Sequence, residues 1–465
     1  MMHPTVDIKT FFKPGTRVHL AGIGGVSMSP LAEVLHDAGL DIRGSDMSES
    51  DNTLTLRERG IPIHIGHSAA NVTDDIEFVI RTAAVHDDNP EVHEAHRRGI
   101  PVFERTQAWG ALMRGYPNAL CISGTHGKTT TTSMCTHIMM AAEKDPTVMI
   151  GGTLPLLHAC HRVGKGNTII MESCEYYNSF LSLNPTIAVI LNIEADHLDF
   201  KDIEDIKHSF RQFAERVPAE TGTVIANCDD VNTMDALRGI ERKVITFGLS
   251  PKADVYAENI MHRGSSSEFD IYHRGNLFAH VTLHVPGIHN VRNALAATAA
   301  AIVLGVSPNA VKYGLAGFEG AGRRFDYKGK FQGADLYDDY AHHPSELRAL
   351  LDAVDTLDYQ RTIVVFQPHT YSRTAKLFND FVEQLRRPTI VYLAEIYAAR
   401  EKNTIGISSA DLAAQIPGAK FYPTFAEIEA ELRRIARPGD IILTVGAGDV
   451  FRIGEHLLHP ADNKD

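Results

Sequence analysis

The chain has 465 residues, a net charge of −13, 44% hydrophobic residues and 22% charged residues. That composition suits a soluble protein of two to four domains, each able to bury its own core. The acidic balance and the lack of a dense Lys/Arg block argue against a general nucleic-acid or membrane-surface binder, while leaving room for a local basic pocket.

Cys121, Cys135, Cys160, Cys174 and Cys228 form no C-x-x-C pair, and their odd number suits a reducing compartment. The N-terminus carries no apolar signal core, and no later run is long and charge-free enough to span a bilayer. The expected location is the cytoplasm.

In chain order, Arg17–Gly22 reads as a short strand running into a glycine turn. A helical pattern over 30–39 follows, with Gly39 as its stop. A second strand ends at Gly44-Ser-Asp46, and β/α alternation continues through Phe78–Ile80. A new unit begins near residue 113. Its strand Ala119–Ile122 enters a second glycine turn, followed by a Thr-rich helix start and the apolar strands Thr168–Met171 and Ile187–Leu191. Residues 244–285 alternate like antiparallel strands, with a turn at Gly264–Ser267, and an alanine-rich helix covers Val291–Leu304. A third unit begins near residue 319, with strands Thr362–Phe366, Ile390–Leu393 and Asp440–Val445 and a helix around Leu377–Leu385. The expected architecture is three α/β domains in series, over 1–112, 113–318 and 319–465. The first and third read as Rossmann-like, and the second as P-loop ATPase-like.

The sharpest local signal is Gly124-Thr-His-Gly-Lys-Thr-Thr-Thr-Thr132, between a strand and a helix. Glycines let backbone N–H groups turn onto phosphate oxygens, and a helix N-terminus adds partial positive charge. Lys128 would neutralise the β- and γ-phosphates and the Thr129 hydroxyl would ligate Mg2+. The formal P-loop pattern wants glycine where Ile122 stands. A magnesium ion on phosphates needs hard oxygen ligands. Glu172 follows one strand downstream of the loop, and His197, flanked by Asp196 and Asp199, follows the next. Each alone could be a polar strand cap; both together, after a phosphate loop, point to a site.

These residues resemble the Mur ligase family along nearly the whole chain. The resemblance rests on a set of motifs in family order: Gly22-Ile-Gly-Gly-Val-Ser-Met28, Gly44-Ser-Asp46, Gly124-Thr-His-Gly-Lys-Thr129, Asn192-Ile-Glu-Ala-Asp-His197, Pro286-Gly-Ile-His-Asn290, Gly322-Arg-Arg-Phe325, Asp338-Asp-Tyr-Ala-His-His-Pro344 and Phe366-Gln-Pro-His369. It implies a UDP-sugar on the first domain, with Gly22, Gly24 and Gly25 approaching the diphosphate. Ser27 and Met28 would open the helix above it, and Ser45 and Asp46 would sit near the nucleoside. From the residues alone this turn could equally hold NAD, with Asp46 on a ribose, although Ser27 replaces the third glycine of that fingerprint.

The resemblance further implies ATP on the central domain, at Gly124, Thr125, His126, Gly127, Lys128, Thr129 and Thr130, with His289 and Asn293 on the adenine side. Arg324 would reach the phosphates from the third domain, with Asp339 near the ribose. Thr129, Glu172 and His197 would hold magnesium, as two ions. Tyr340, His342, His369 and Arg373 would surround an incoming amino acid, Arg373 on its α-carboxylate and His369 or His342 as base. Without the resemblance, Arg323-Arg324 could be a solvated pair, and His342-His343-Pro344 a turn opening a helix.

The implied reaction is ATP-dependent addition of L-alanine to UDP-N-acetylmuramate through an acyl phosphate, in a monomer or homodimer needing no nucleic acid or membrane. The alternatives are a recycling ligase attaching a murein tripeptide, a nucleotide-sensing protein without turnover, and an NAD-dependent oxidoreductase. Two departures stand out. Ser173-Cys-Glu-Tyr-Tyr177 replaces the Ala-Asp-Glu-Ser-Asp of many relatives, which puts the role of the following acid in doubt. No lysine stands near Arg211–Gln212, where sister ligases carry a carbamylated one.

Overall fold

The computed structural model describes residues 7–82, 84–195, 200–399 and 401–459. The first sheet contains β1 (Arg17–Ala21), β2 (Asp41–Asp46), β3 (Ile63–Ile65), β4 (Phe78–Arg81) and β5 (Val102–Glu104), all parallel in the order β3-β2-β1-β4-β5. Strand order reverses beside β1, so a crevice opens where β1 ends, at Gly22. Gly22 has φ +81°, and a Cβ there would stand 2.6 Å from Thr82 Cγ2, so this turn requires glycine. The helix Ser29–Asp37 follows the turn and buries Leu31, Ala32 and Leu35.

The central sheet has ten strands: β6 (Asn118–Ser123), β7 (Thr147–Leu154), β8 (Ala159–Arg162), β9 (Thr168–Glu172), β10 (Ile187–Ile190), β11 (Thr223–Asn227), β12 (Lys243–Gly248), β13 (Val255–Arg263), β14 (Ser266–His273) and β15 (Asn276–Leu283). Their order is β15-β14-β13-β12-β11-β10-β6-β9-β7-β8. Antiparallel pairing was expected from residue 244, but β12 pairs parallel with β11 and β13, and the antiparallel meander begins only with β13–β14. Ser266 and Ser267, expected in a turn, already belong to β14.

The helices Lys128–Ala141 and Ile288–Val303 pack together over this sheet. The second starts at Ile288, not Val291, because Gly287 at φ +92° turns the chain into it. Its buried Ala294, Ala297 and Ala301 allow close approach to Met134 and Ile138. Each fully buried Leu, Ile or Met here contributes about 1.5–3 kcal/mol.

The third sheet is β16 (Asp326–Phe331), β17 (Ala334–Asp339), β18 (Arg361–Phe366), β19 (Ile390–Leu393), β20 (Lys420–Phe421) and β21 (Asp440–Val445), ordered β16-β17-β21-β18-β19-β20. Only its edge strand β16 is antiparallel. Among the described residues no helix is long and apolar enough to cross a membrane.

Candidate functional site

The phosphate loop leaves β6 at Ser123 and enters the helix at Lys128. Gly124 (φ +140°) would drive a Cβ to 2.8 Å from Leu191 Cβ, and Gly127 (φ +84°) would drive one to 2.7 Å from Asn293 Oδ1. The loop is fastened to the tip of β10. Asn192 Oδ1 accepts from His126 N at 2.8 Å, and Asn192 Nδ2 donates to His126 O at 3.0 Å. Thr125 N donates to Asn192 O at 3.0 Å, and Glu194 N to Thr125 Oγ1 at 2.8 Å. Asn192 was legible only as part of a motif; its clamp on the loop needs the fold.

Lys128 Nζ donates to Gly124 O and Thr125 O and pairs with Glu175. Burial alone would lower its pKa, but the buried Glu175 carboxylate outweighs that and holds the ammonium above its ordinary value. Glu175 is the acid of the departing Ser173–Tyr177 segment whose role the sequence left open. Beside it, Glu172 accepts from Thr129 Oγ1 at 3.1 Å and from Gly151 N at 2.6 Å. Thr129 and Glu172 thus present hard oxygens side by side, the donor set that Mg2+ selects. His197, expected as a second metal ligand, lies outside the described residues.

A cavity of about 690 Å³ extends from this loop to the third domain. His126, Gly127, Thr129 and Thr130 line one end, and Arg324, Asp339 and Glu346 approach from the third domain. His289 and Asn293, one helical turn apart on Ile288–Val303, also line it with Asn227, Asp229 and Phe247, and Asn293 stands against Gly127 of the loop. Burial and the neighbouring Arg292 push His289 down to about 4, so its imidazole is neutral at neutral pH.

The two adjacent arginines diverge. Arg323 pairs with Asp338 at 2.9 Å and donates to Gly446 O and Gly448 O. Arg324 faces the cavity, its guanidinium 4.8 Å from the Tyr340 ring centroid. Neither is a solvated bystander. Asp339 accepts from Phe325 N at 2.7 Å and Ala341 N at 2.8 Å, which fixes the segment that bears Arg324. Burial raises Asp339 to about 6, against the pull of Arg324.

Tyr340, His342, His369 and Arg373 come together beside this cavity. The His342 and His369 rings are 5.7 Å apart, Tyr340 meets His342 edge-on at 5.5 Å, and Arg373 Nη1 lies 3.1 Å from His369 Nδ1. A guanidinium only donates, so His369 Nδ1 accepts in this arrangement. His342 Nδ1 lies 3.1 Å from Tyr340 O, a carbonyl that only accepts, so that nitrogen carries a proton.

In the first domain, Gly22 N and Ile23 N donate to Ser45 O, and Asp46 accepts from Gly24 N at 2.8 Å. Met28 is buried as the N-cap of the helix, and Ser27 O accepts from Trp109 Nε1 at 3.2 Å. Ser45, expected near a nucleoside, has its side chain fully buried and turned inward, donating to Glu91 at 2.6 Å. The reason is Glu91, a buried carboxylate that draws in Ser45, His67 and Asn71. Burial would raise its pKa, yet His19, Ser45 and Asn71 bring it down to about 2. Asp46 spends an oxygen on the glycine turn itself, which orders that turn.

The hairpin β7–β8 links these sites. Cys160 Sγ lies 3.8 Å from Val26 O, and His161 pairs with Glu33 at 3.2 Å, both over the first-domain turn. On the facing strand Gly151 holds Glu172, and Thr153 O accepts from Gly322 N of the third domain at 2.8 Å.

A Rossmann-like sheet, a phosphate loop on a second sheet and a third domain facing the same cavity define a multidomain nucleotide-dependent enzyme. The chain belongs to the Mur ligase family: residues 17–117 match its catalytic domain, 122–301 its middle domain and 323–448 its glutamate ligase domain. It is 47% identical over 454 residues to the UDP-N-acetylmuramate–L-alanine ligase of Agathobacter rectalis, covering 96% of this chain and 98% of that one. It is 44% identical to the ligase of the same name from Clostridium novyi, covering 95% and 97%. Among solved structures, the UDP-N-acetylmuramate-alanine ligase of Thermotoga maritima superposes with a TM-score of 0.79 at 28% identity, covering 97% of this chain and all of that one. A murein peptide ligase from Psychrobacter arcticus shares the fold, with a TM-score of 0.70 at 22% identity.

Proposed function

We propose that the chain joins L-alanine to the lactyl carboxylate of UDP-N-acetylmuramate, cleaving ATP to ADP and phosphate through an acyl phosphate. The observation that carries this reading is the convergence on one cavity of the phosphate loop with Glu172 beside it and Arg324 from the third domain. The near-full-length likeness to alanine ligases supports it over addition of a preformed peptide.

A carboxylate does not condense with an amine, because hydroxide leaves poorly; transfer of the γ-phosphoryl group turns that oxygen into a phosphate leaving group. Carboxylate and triphosphate repel each other, so the site must concentrate positive charge. Lys128 supplies it once it exchanges Glu175 for phosphate, and Arg324 supplies it from the opposite wall. Thr129 and Glu172 would hold one Mg2+ and His197 a second, adding Lewis-acid charge on the phosphates.

The amine of alanine then attacks the acyl carbon and phosphate leaves. Arg373 binds the amino-acid carboxylate by two parallel bonds. His342 or His369 would take the proton from the ammonium of alanine. Acyl phosphates hydrolyse, so the third domain closes over the cavity during this step. The nucleotide substrates place the reaction in the cytoplasm. The deciding experiment is phosphate release by purified protein with ATP, Mg2+ and UDP-N-acetylmuramate, with L-alanine or with the tripeptide. Release with L-alanine, with a new amide in the product, is expected; release with the tripeptide alone would refute the reading.

A further inference from the structure

His126 lines the cavity from the phosphate loop, and its imidazole enters a compact cluster shared with the third domain. Its Nδ1 lies 3.0 Å from Glu346 Oε1. Its Nε2 lies 3.4 Å from Glu194 Oε2 and 2.9 Å from Ser345 Oγ. His343 Nδ1 is 3.9 Å from that same Glu194 oxygen, and the two imidazole centroids are 5.0 Å apart. One donor atom from each of His126, Glu194 and His343 lies within 4.8 Å of the others.

We propose that His126, Glu194 and His343 form a binding site for a divalent transition-metal cation of the Zn2+ type, bridging the central and third domains. Two imidazoles and one carboxylate are a tetrahedral zinc donor set with one open position, whereas magnesium prefers all-oxygen sites and competes poorly here. Glu346 on Nδ1 does for His126 what outer carboxylates do for metal-bound histidines: it fixes the ring and aims Nε2 at the cation. Bonds of about 2.0–2.2 Å require donor–donor edges of roughly 3.3–3.5 Å. The His126–Glu194 edge of 3.4 Å fits, and the His343–Glu194 edge must shorten from 3.9 Å. The Ser345 hydroxyl lies 2.9 Å from His126 Nε2 and 2.7 Å from His343 Nδ1, and Ser345 N donates to that Nδ1 at 3.3 Å, so a cation must displace these bonds as it binds. Neutral imidazole is the ligand form, so the cation displaces the proton that the carboxylates hold on His126.

Such a bridge ties the phosphate loop to the helix Pro344–Val354 and stops the two domains moving against each other. Occupancy should therefore slow turnover. The test uses the full chain in excess Mg2+, with Zn2+ binding followed by equilibrium dialysis and Co2+ as a spectroscopic substitute. His343→Asn removes one imidazole but keeps a side chain suited to the N-cap His343 occupies; Glu194→Gln removes the carboxylate independently. The expected result is one Zn2+ per chain, Co2+ bands without thiolate charge transfer, binding at least ten-fold weaker in either variant, and inhibition relative to each protein's own rate that is lost with binding. Equal affinity in wild type and both variants, or a thiolate band, overturns the proposal.

Discussion

Lys128 Nζ stands 3.0 Å from a carboxylate oxygen of Glu175, whose side chain is only 2% exposed. The phosphate-loop cation is thus already neutralised before any nucleotide arrives, and ATP must take it from a buried anion. Removing one member of a buried pair leaves the other uncompensated, at a cost of about 3–5 kcal/mol. In Glu175→Gln the free protein should melt lower than wild type, and ATP should raise its Tm by more, because phosphate then supplies the missing charge. Thermal shifts with and without ATP check this; an equal or smaller ATP-induced shift would show that Glu175 does not compete with phosphate.

Glu172 is held by Thr129 Oγ1 and Gly151 N. Glu172→Gln keeps the shape and removes the anionic oxygen. Turnover should fall by on the order of 10²–10³-fold, with the circular dichroism spectrum and the KM for UDP-N-acetylmuramate unchanged. Steady-state kinetics at saturating Mg2+ measure it, and a variant with near wild-type kcat would remove Glu172 from the metal site.

Arg373 shares its guanidinium with His369 Nδ1 at 3.1 Å. With Arg373 on the amino-acid carboxylate as proposed, Arg373→Ala would delete a charged hydrogen bond of about 1.5–3 kcal/mol, and the KM for L-alanine should rise roughly ten- to hundred-fold. The KM for ATP should hold. Should the alanine KM stay put, the carboxylate is bound elsewhere.

Burial opposes protonation of His126, but Glu346 and Glu194 more than offset it and lift the imidazole to about 10. Its ordinary value is about 6.5, so the folded state binds the extra proton between those two values. The stabilisation is complete below pH about 6.5 and drains away as pH climbs toward about 10. His161, pushed up to about 9 by Cys160 and Glu33, contributes in the same direction over part of that window. His126→Asn should flatten the decline of Tm between those pH values relative to wild type. Parallel curves for the two proteins would mean that the His126 cluster does not couple to folding.

The parts of this molecule that could be read from the chain are local ones. Gly22 and Gly124 stand at strand ends and Gly127 at a helix start, each with a positive φ, and strand–loop–helix order marks the phosphate loop within a dozen residues. Glu346 also carried a local signal, as the acid three residues into a helix opened by His343. What escaped depends on residues far apart. Ser45 turns inward because of Glu91, 46 residues later, and Glu175 meets Lys128 across 47. His126 meets Glu346 across 220. The central sheet escaped for the same reason: alternation shows that 255–283 forms strands, but not that they extend one ten-stranded sheet through β12.

Arg323 and Arg324 sit in a short arc where Arg323 (φ +59°) and Phe325 (φ +49°) are both left-handed, and their guanidiniums stand 5.0 and 4.8 Å from the same Tyr340 ring centroid. One is a bolt into Gly446 and Gly448, the other an arm into the cavity shared with the phosphate loop. Their tasks are assigned by position along the arc and not by residue type. Shortening the 320–326 segment by a single residue would hand the arm's place to the bolt, leaving the family motif recognisable in an enzyme that has lost its reach.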